Sequence, residues 1–221
     1  MAFALIHYIY LIMAAGLLGC TAVVGKRYSS SRNPLTLVFM AFILLFAISA
    51  ILYFTKGFFD PMGFEDALLS KMGLGIGLID TAVFSTFLLY PLSMQYKGQQ
   101  KEKLILIVIA VLWILVIYAS IILATLELQF TGVVDGASNF DMPMQVLGII
   151  ILESFFNVGV LLLVVIREKD PTYRNRTLLL LLGYLIFIVA QTLESMGVIL
   201  VLVPFVILAG IVIMTIGILK E

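Results

Sequence analysis

The chain has 221 residues, 63% of them hydrophobic and 12% charged, with 13 basic and 13 acidic side chains. Soluble domains carry roughly 45–50% apolar and about 25% charged residues, so this composition excludes a soluble domain and describes a polytopic membrane protein. The balanced charge offers no basic excess for nucleic acid, and a single cysteine, Cys20, excludes an intrachain disulfide.

The opening residues MAFALIHYIY lack the basic n-region of a cleavable signal and start a run long enough to span. Seven apolar runs follow in chain order: Ala4–Gly25, Leu35–Thr55, Leu74–Met94, Leu104–Thr125, Val146–Ile166, Thr177–Leu193 and Val198–Leu219. Each is near the length of about 20 residues that crosses a hydrocarbon core of about 30 Å. Only Glu194–Gly197 separates the last two. One continuous helix would exceed a bilayer, so a tight turn at Ser195–Gly197 is expected. Between the second and third runs, GFEDALLSKM reads as a short interfacial helix. Between the fourth and fifth, Leu126–Pro143 reads as a solvated loop, and its D-G-A-S-N-F-D lacks the ligand spacing of a calcium-binding EF-hand.

The connections alternate in charge. Lys26, Arg27 and Arg32 fall in the first, Lys97, Lys101 and Lys103 in the third, and Arg167, Lys169, Arg174 and Arg176 in the fifth. With Lys220 they make 11 of the 13 basic residues. The second and fourth connections hold only Lys56 and Lys71. Basic residues are retained on the cytoplasmic side. The expectation is therefore an all-α integral membrane protein of the cell membrane: a seven-transmembrane helix bundle, N-terminus outside and C-terminus cytoplasmic.

The ionisable residues inside the spans all fall in the outer half. Asp80, in the third run, lies about 10 Å below the outer surface at 1.5 Å per residue. A charge at such depth is costly and by default faces a cavity or a partner. The alternative is a structural hydrogen bond, to Tyr10 or Thr81. Glu153 in the fifth run is at similar depth, with Asn157 four residues on and therefore on the same helix face. Gln191 and Glu194 share a face of the sixth run near its outer end, and His7 is near the outer end of the first. A conduction path needs polar groups along its whole length, whereas an outward pocket does not. Asp80, Glu153, Asn157, Gln191, Glu194 and His7 are accordingly the candidate ligand-binding residues of an outward-facing pocket between spans three, five and six. Gly73, Gly75 and Gly77 are expected to let neighbouring helices approach closely, and Gly148, Gly159, Gly210 and Gly217 to permit kinks or close packing.

Much chemistry is absent. One histidine cannot supply bis-histidine haem ligation or a multi-histidine metal site. There is no H-E-x-x-H and no G-x-S-x-G. Asp80 is the only aspartate within a run, which precludes an aspartyl dyad, and the seventh run has no lysine before Lys220 for a retinal Schiff base. No catalytic residue, metal or cofactor is expected, and the chain does not read as an enzyme.

The outward N-terminus, the seven runs, the outer segment before the third and the cytosolic REKDPTYRNRTLLLLLGYL before a closely spaced final pair resemble the N-terminal seven-helix sensor region of bacterial and archaeal histidine kinases. The resemblance implies a region that senses a ligand or membrane state and passes a signal inward. The sequence ends at Glu221, so the output is expected to be absent or to pass to a separate partner. No binding residue is carried over, because no motif maps one. A receptor-like protein is the first expectation, an accessory or structural subunit of a larger complex the second, and a small-solute or ion transporter the third. The expected partners are the lipid bilayer and a cytosolic or membrane protein docking on the basic loops, with self-association into an oligomer also open.

Overall fold

A computed structural model describes residues 5–125, 129–134, 137–195 and 202–220. The described residues form seven helices and one hairpin: α1 Leu5–Ser31, α2 Pro34–Thr55, α3 Phe64–Gln95, α4 Gln100–Thr125, β1 Gln129–Val134, β2 Ala137–Asp141, α5 Met144–Arg167, α6 Pro171–Ser195 and α7 Val203–Leu219. Six of these helices are long and apolar enough to cross a membrane, and α7, at 17 residues, is shorter. The protein is thus a helical, apolar, multi-pass bundle.

Local chemistry sets the helix ends. Arg32 takes a left-handed φ of 51° that stops α1. The Asn33 side chain then accepts the Leu35 N–H at 2.9 Å, and Pro34 opens α2, its missing N–H being one that the first turn leaves unpaired anyway. A 3₁₀ turn, Lys56–Phe58, closes α2. Two helices run well past their apolar runs. α1 continues through Lys26–Ser31, and α3 starts at Phe64 rather than Leu74. The expected interfacial helix is therefore the opening of α3 itself, continuous because Asp66 sits in its first turn, where the helix dipole favours a carboxylate.

The expected solvated loop between α4 and α5 is instead an antiparallel hairpin, β1 pairing with β2 from Gln129 opposite Asp141 to Val134 opposite Ala137. A bulge lies between Phe130 and Gly132. Gly132 has a φ of 142°, a left-handed value that favours glycine. The turn expected at Ser195–Gly197 lies, from Met196 on, outside the described residues.

Each helix packs on its neighbours in sequence, α1 also on α7, and α3 also on α5, so α4 is an outlier resting on α3 and α5. The tightest crossing joins α6 and α7. A Cβ built on Gly183 would meet the Gly210 carbonyl oxygen at 2.5 Å, and one on Gly210 the Gly183 oxygen at 2.7 Å. Two backbones that close require glycine on both helices. The expected close contacts at Gly73, Gly210 and Gly217 are present, against Tyr53, α6 and Leu179. At Gly75, Gly77, Gly148 and Gly159 a Cβ would meet nothing within 4 Å, so those glycines serve no close contact among the described residues.

The half of the bundle nearer the basic connections is filled with aromatic rings. Phe42 and Phe84 lie 4.9 Å apart between centroids, Phe84 stacks on Tyr184 at 4.6 Å, and Phe39, Phe87 and Phe187 extend the cluster. These side chains join α2, α3 and α6 into one core with α1 and α7. A second, smaller core of Leu78, Ala82, Val116, Ala119, Leu123 and Val146 holds α4 and α5 to α3.

A candidate binding cavity and a buried polar cluster behind it

The opposite half of the bundle is hollow. A cavity of about 690 Å³ is lined by the first half of α1, the second half of α2, the first half of α3, the hairpin, the first half of α5, the second half of α6 and the start of α7. Small side chains on facing positions leave the space: Ser49 and Ala50 on α2, Gly73, Gly77 and Thr81 on α3, Ser154 on α5. Along α5 the lining runs from Val146 to Val158, about 18 Å at 1.5 Å per residue. The volume is in the range of pockets that hold small molecules, and the walls are apolar with a few placed polar groups, as in such pockets.

The candidate residues separate into two sets. His7 and Gln191 line the cavity. Asp80, Glu153 and Asn157 do not. They are sealed behind its wall, with exposures of 0%, 1% and 0%. Their neighbours Thr81 and Ser154 form the wall in front of them. The side chain of Glu194 lies outside the described residues.

Behind the wall, α3, α5 and α6 share a polar cluster. The Thr81 hydroxyl donates to Glu153 Oε2 at 2.6 Å and is also 2.8 Å from the Leu78 carbonyl. Asn157 Nδ2 donates to the Tyr184 hydroxyl at 2.9 Å. This bond joins Tyr184 on α6 to α5. The shared helix face of Glu153 and Asn157 is thus present, and it points at α3 and α6. Asp80 makes neither of its expected bonds. Thr81 is engaged by Glu153, Tyr10 stacks on Tyr53 at 5.0 Å, and both Asp80 oxygens have no hydrogen-bond partner among the described residues. Glu153 Oε1 and Asn157 Oδ1 also lack partners there. An unpaired buried polar atom costs on the order of 1–3 kcal/mol. The cluster therefore stores unsatisfied polar capacity in the middle of an apolar bundle.

At the other end of the cavity is a group that hydropathy assigns to a connection. Lys56, 5% exposed, pairs with Asp66, 2% exposed, at 3.3 Å. Asp66 Oδ2 also accepts the Met62 N–H at 2.9 Å. The Lys56 ammonium lies 5.4 Å from the Tyr53 ring centroid, a cation–π distance. The Ser49 hydroxyl donates to the Gly73 carbonyl at 3.2 Å and ties α2 to α3 beside that ring. Two signals in the sequence point to these groups. Lys56 and Asp66 carry opposite charge on either side of a segment holding Gly57, Pro61 and Gly63, which folds the chain back on itself. Tyr184 stands mid-run, where a buried phenol needs a partner for its hydroxyl.

No group of three or more His, Cys, Asp or Glu side chains that could hold a metal ion occurs among the described residues. In comparison with known proteins, the chain matches no family model, no curated protein and no solved structure.

Proposed function

We propose that the protein is a seven-span, receptor-like membrane protein whose cavity, opening outward, takes a small ligand and whose helices shift when it is filled. The observation that carries this reading is the cavity's position. Its lining comes from every helix except α4 and from the hairpin, so one occupant would touch six helices at once. A ligand moves an equilibrium between two arrangements only by binding them unequally, and a cavity shared by six helices changes shape whenever any of them moves. Beneath it, the aromatic cluster packs the described part of the bundle with apolar side chains, which favours a receptor over a transporter. The buried carboxyl cluster links α3, α5 and α6 just behind the wall and would register such a shift. The basic connections at the far end would meet anionic lipid or a cytosolic partner, in keeping with the sensor-like resemblance.

The accessory-subunit reading rests on a different observation. α4 and α5 are the least buried of the six long helices, leaving apolar side chains such as Ile107, Ile114, Tyr118, Ile121 and Phe155 for lipid or for a partner's helices.

Thiol labelling separates the possibilities. In a Cys20→Ser background, Gln191→Cys is expected to react with a membrane-impermeant maleimide added to intact cells, and not with the same reagent confined to the cytoplasmic side. Reaction from the cytoplasmic side alone would reverse the orientation, and no reaction from either side would remove the open pocket. Stoichiometric partner subunits that stay bound through purification would favour the accessory role.

A further inference from the structure

We infer that the cavity is built for a single-tailed amphiphile with an anionic head group, seated with its head at Lys56 and its tail along the apolar walls toward Thr81 and Ser154. The inference rests on the receptor reading of the cavity and adds the class of ligand.

Three features of the cavity lead to it. First, Lys56 is the one lysine or arginine among the described residues lining it, and it is held there rather than free to swing into solvent. Asp66 fixes its ammonium from one side and the Tyr53 ring from another, and Tyr53 is itself braced by stacking on Tyr10. A surface lysine loses side-chain entropy when it grips an anion, and a lysine already held in place loses less.

Second, the Lys56–Asp66 pair can be exchanged at low cost. A buried ion pair is destabilising to break when the remaining charge is stranded. Here the remaining carboxylate would not be stranded. Asp66 keeps the Met62 N–H and its place in the first turn of α3, where the helix dipole favours a negative charge. A ligand carboxylate or phosphate can therefore share or take over Lys56 without leaving Asp66 unsupported.

Third, the remainder of the cavity suits a hydrocarbon tail. Ile6, Met13, Phe46, Leu74, Leu78 and Ile150 are among the side chains that face it. Its length of about 18 Å along α5 leaves room for an extended ten-carbon chain. The one acidic group among the described residues on the lining, Asp141, is solvent-exposed at the end of the hairpin, whereas Lys56 is buried. A buried charge discriminates more strongly than an exposed one, because water screens it less.

The test uses three ten-carbon probes that differ only in the head: decanoate, decanol and decylammonium. The full chain is placed in nanodiscs of phosphatidylcholine alone, which keeps anionic lipid out of the measurement. Radiolabelled decanoate is bound, each probe is used as the competitor, and empty nanodiscs give the baseline for partitioning. Decanoate is expected to compete about ten-fold better than decanol, as a hydrogen bond to a charged group implies, and decylammonium worse than either. The double variant Lys56→Gln/Asp66→Asn removes both charges without stranding one and is expected to erase that preference while leaving decanol competition intact. Lys56→Arg is expected to keep it. Gly77→Phe puts a ring into the cavity at a position where a Cβ meets nothing within 4 Å and is expected to abolish binding of all three. Equal competition by the three probes, or a preference for decylammonium, would overturn the anionic head group and leave the cavity reading standing. Binding that Gly77→Phe does not disturb would overturn the cavity reading as well.

Discussion

The two halves of this bundle have the same covering of apolar side chains and opposite interiors. In one half, Phe39, Phe42, Phe84, Phe87, Tyr184 and Phe187 interlock, and α6 and α7 touch backbone to backbone at Gly183 and Gly210. In the other, serines, glycines and a threonine on facing helices leave about 690 Å³ empty. The same amino acid marks both. Gly183 is small because another backbone fills its space, and Gly77 is small and faces a void. Within a bilayer, helices gain little from hiding apolar surface from each other, since lipid is equally apolar. Association then depends on contact quality. The filled half is where the helices hold together, and the hollow half contributes less of that contact.

Substituting the two glycines tests this contrast most directly, and Gly183→Leu is expected to have the largest effect. Its side chain would have to enter the Gly210 carbonyl and the Met214 backbone, so α6 and α7 must separate. A loss of about 5 kcal/mol, enough to prevent assembly, is expected. Size-exclusion profiles of the detergent-solubilised protein would show it as aggregation, and a monodisperse variant with an unchanged melting temperature would refute the contact.

An intermediate effect is expected where the two halves meet. Thr81→Val keeps the shape and removes the hydroxyl that donates to Glu153 Oε2, leaving that oxygen buried without its donor. The expected cost is about 1–3 kcal/mol, read as a lower melting temperature, and Thr81→Ser is expected to recover most of it. Equal melting temperatures for the valine and serine variants would mean that the bond contributes nothing.

Gly77→Phe is expected to have the smallest effect on stability. The new ring has room, and replacing a helical glycine by phenylalanine gains roughly 0.3–0.5 kcal/mol of helix propensity. Its melting temperature is expected to equal or slightly exceed that of the parent chain. A large loss would show that the hollow half is as tightly packed as the filled one.

The elements were largely legible in the sequence because membrane insertion is a property of short stretches. Apolar runs of spanning length and alternating basic connections need no knowledge of the fold. The same reasoning found Asp80, Glu153 and Asn157, since a carboxyl or amide in an apolar run is conspicuous wherever it ends up. They are behind the cavity wall, and the wall itself is made of Thr81, Ser154, Gly77 and Ser49, residues that hydropathy passes over. Lys56 was hidden for the opposite reason. It follows the second run immediately and reads as the first residue of a connection, whereas the 3₁₀ turn after α2 and the early start of α3 fold it back into the bundle against Asp66.

The sequence by itself therefore determined that this chain is a multi-pass helical membrane protein and which of its buried residues would be costly. Both follow from the transfer of individual side chains out of water, which is local. The tertiary structure alone decided which polar groups meet, which glycines touch a neighbour, and that one half of the bundle is hollow. Those outcomes depend on the rotation of each helix about its axis and on the volumes of side chains far apart in sequence, and no single run contains that information.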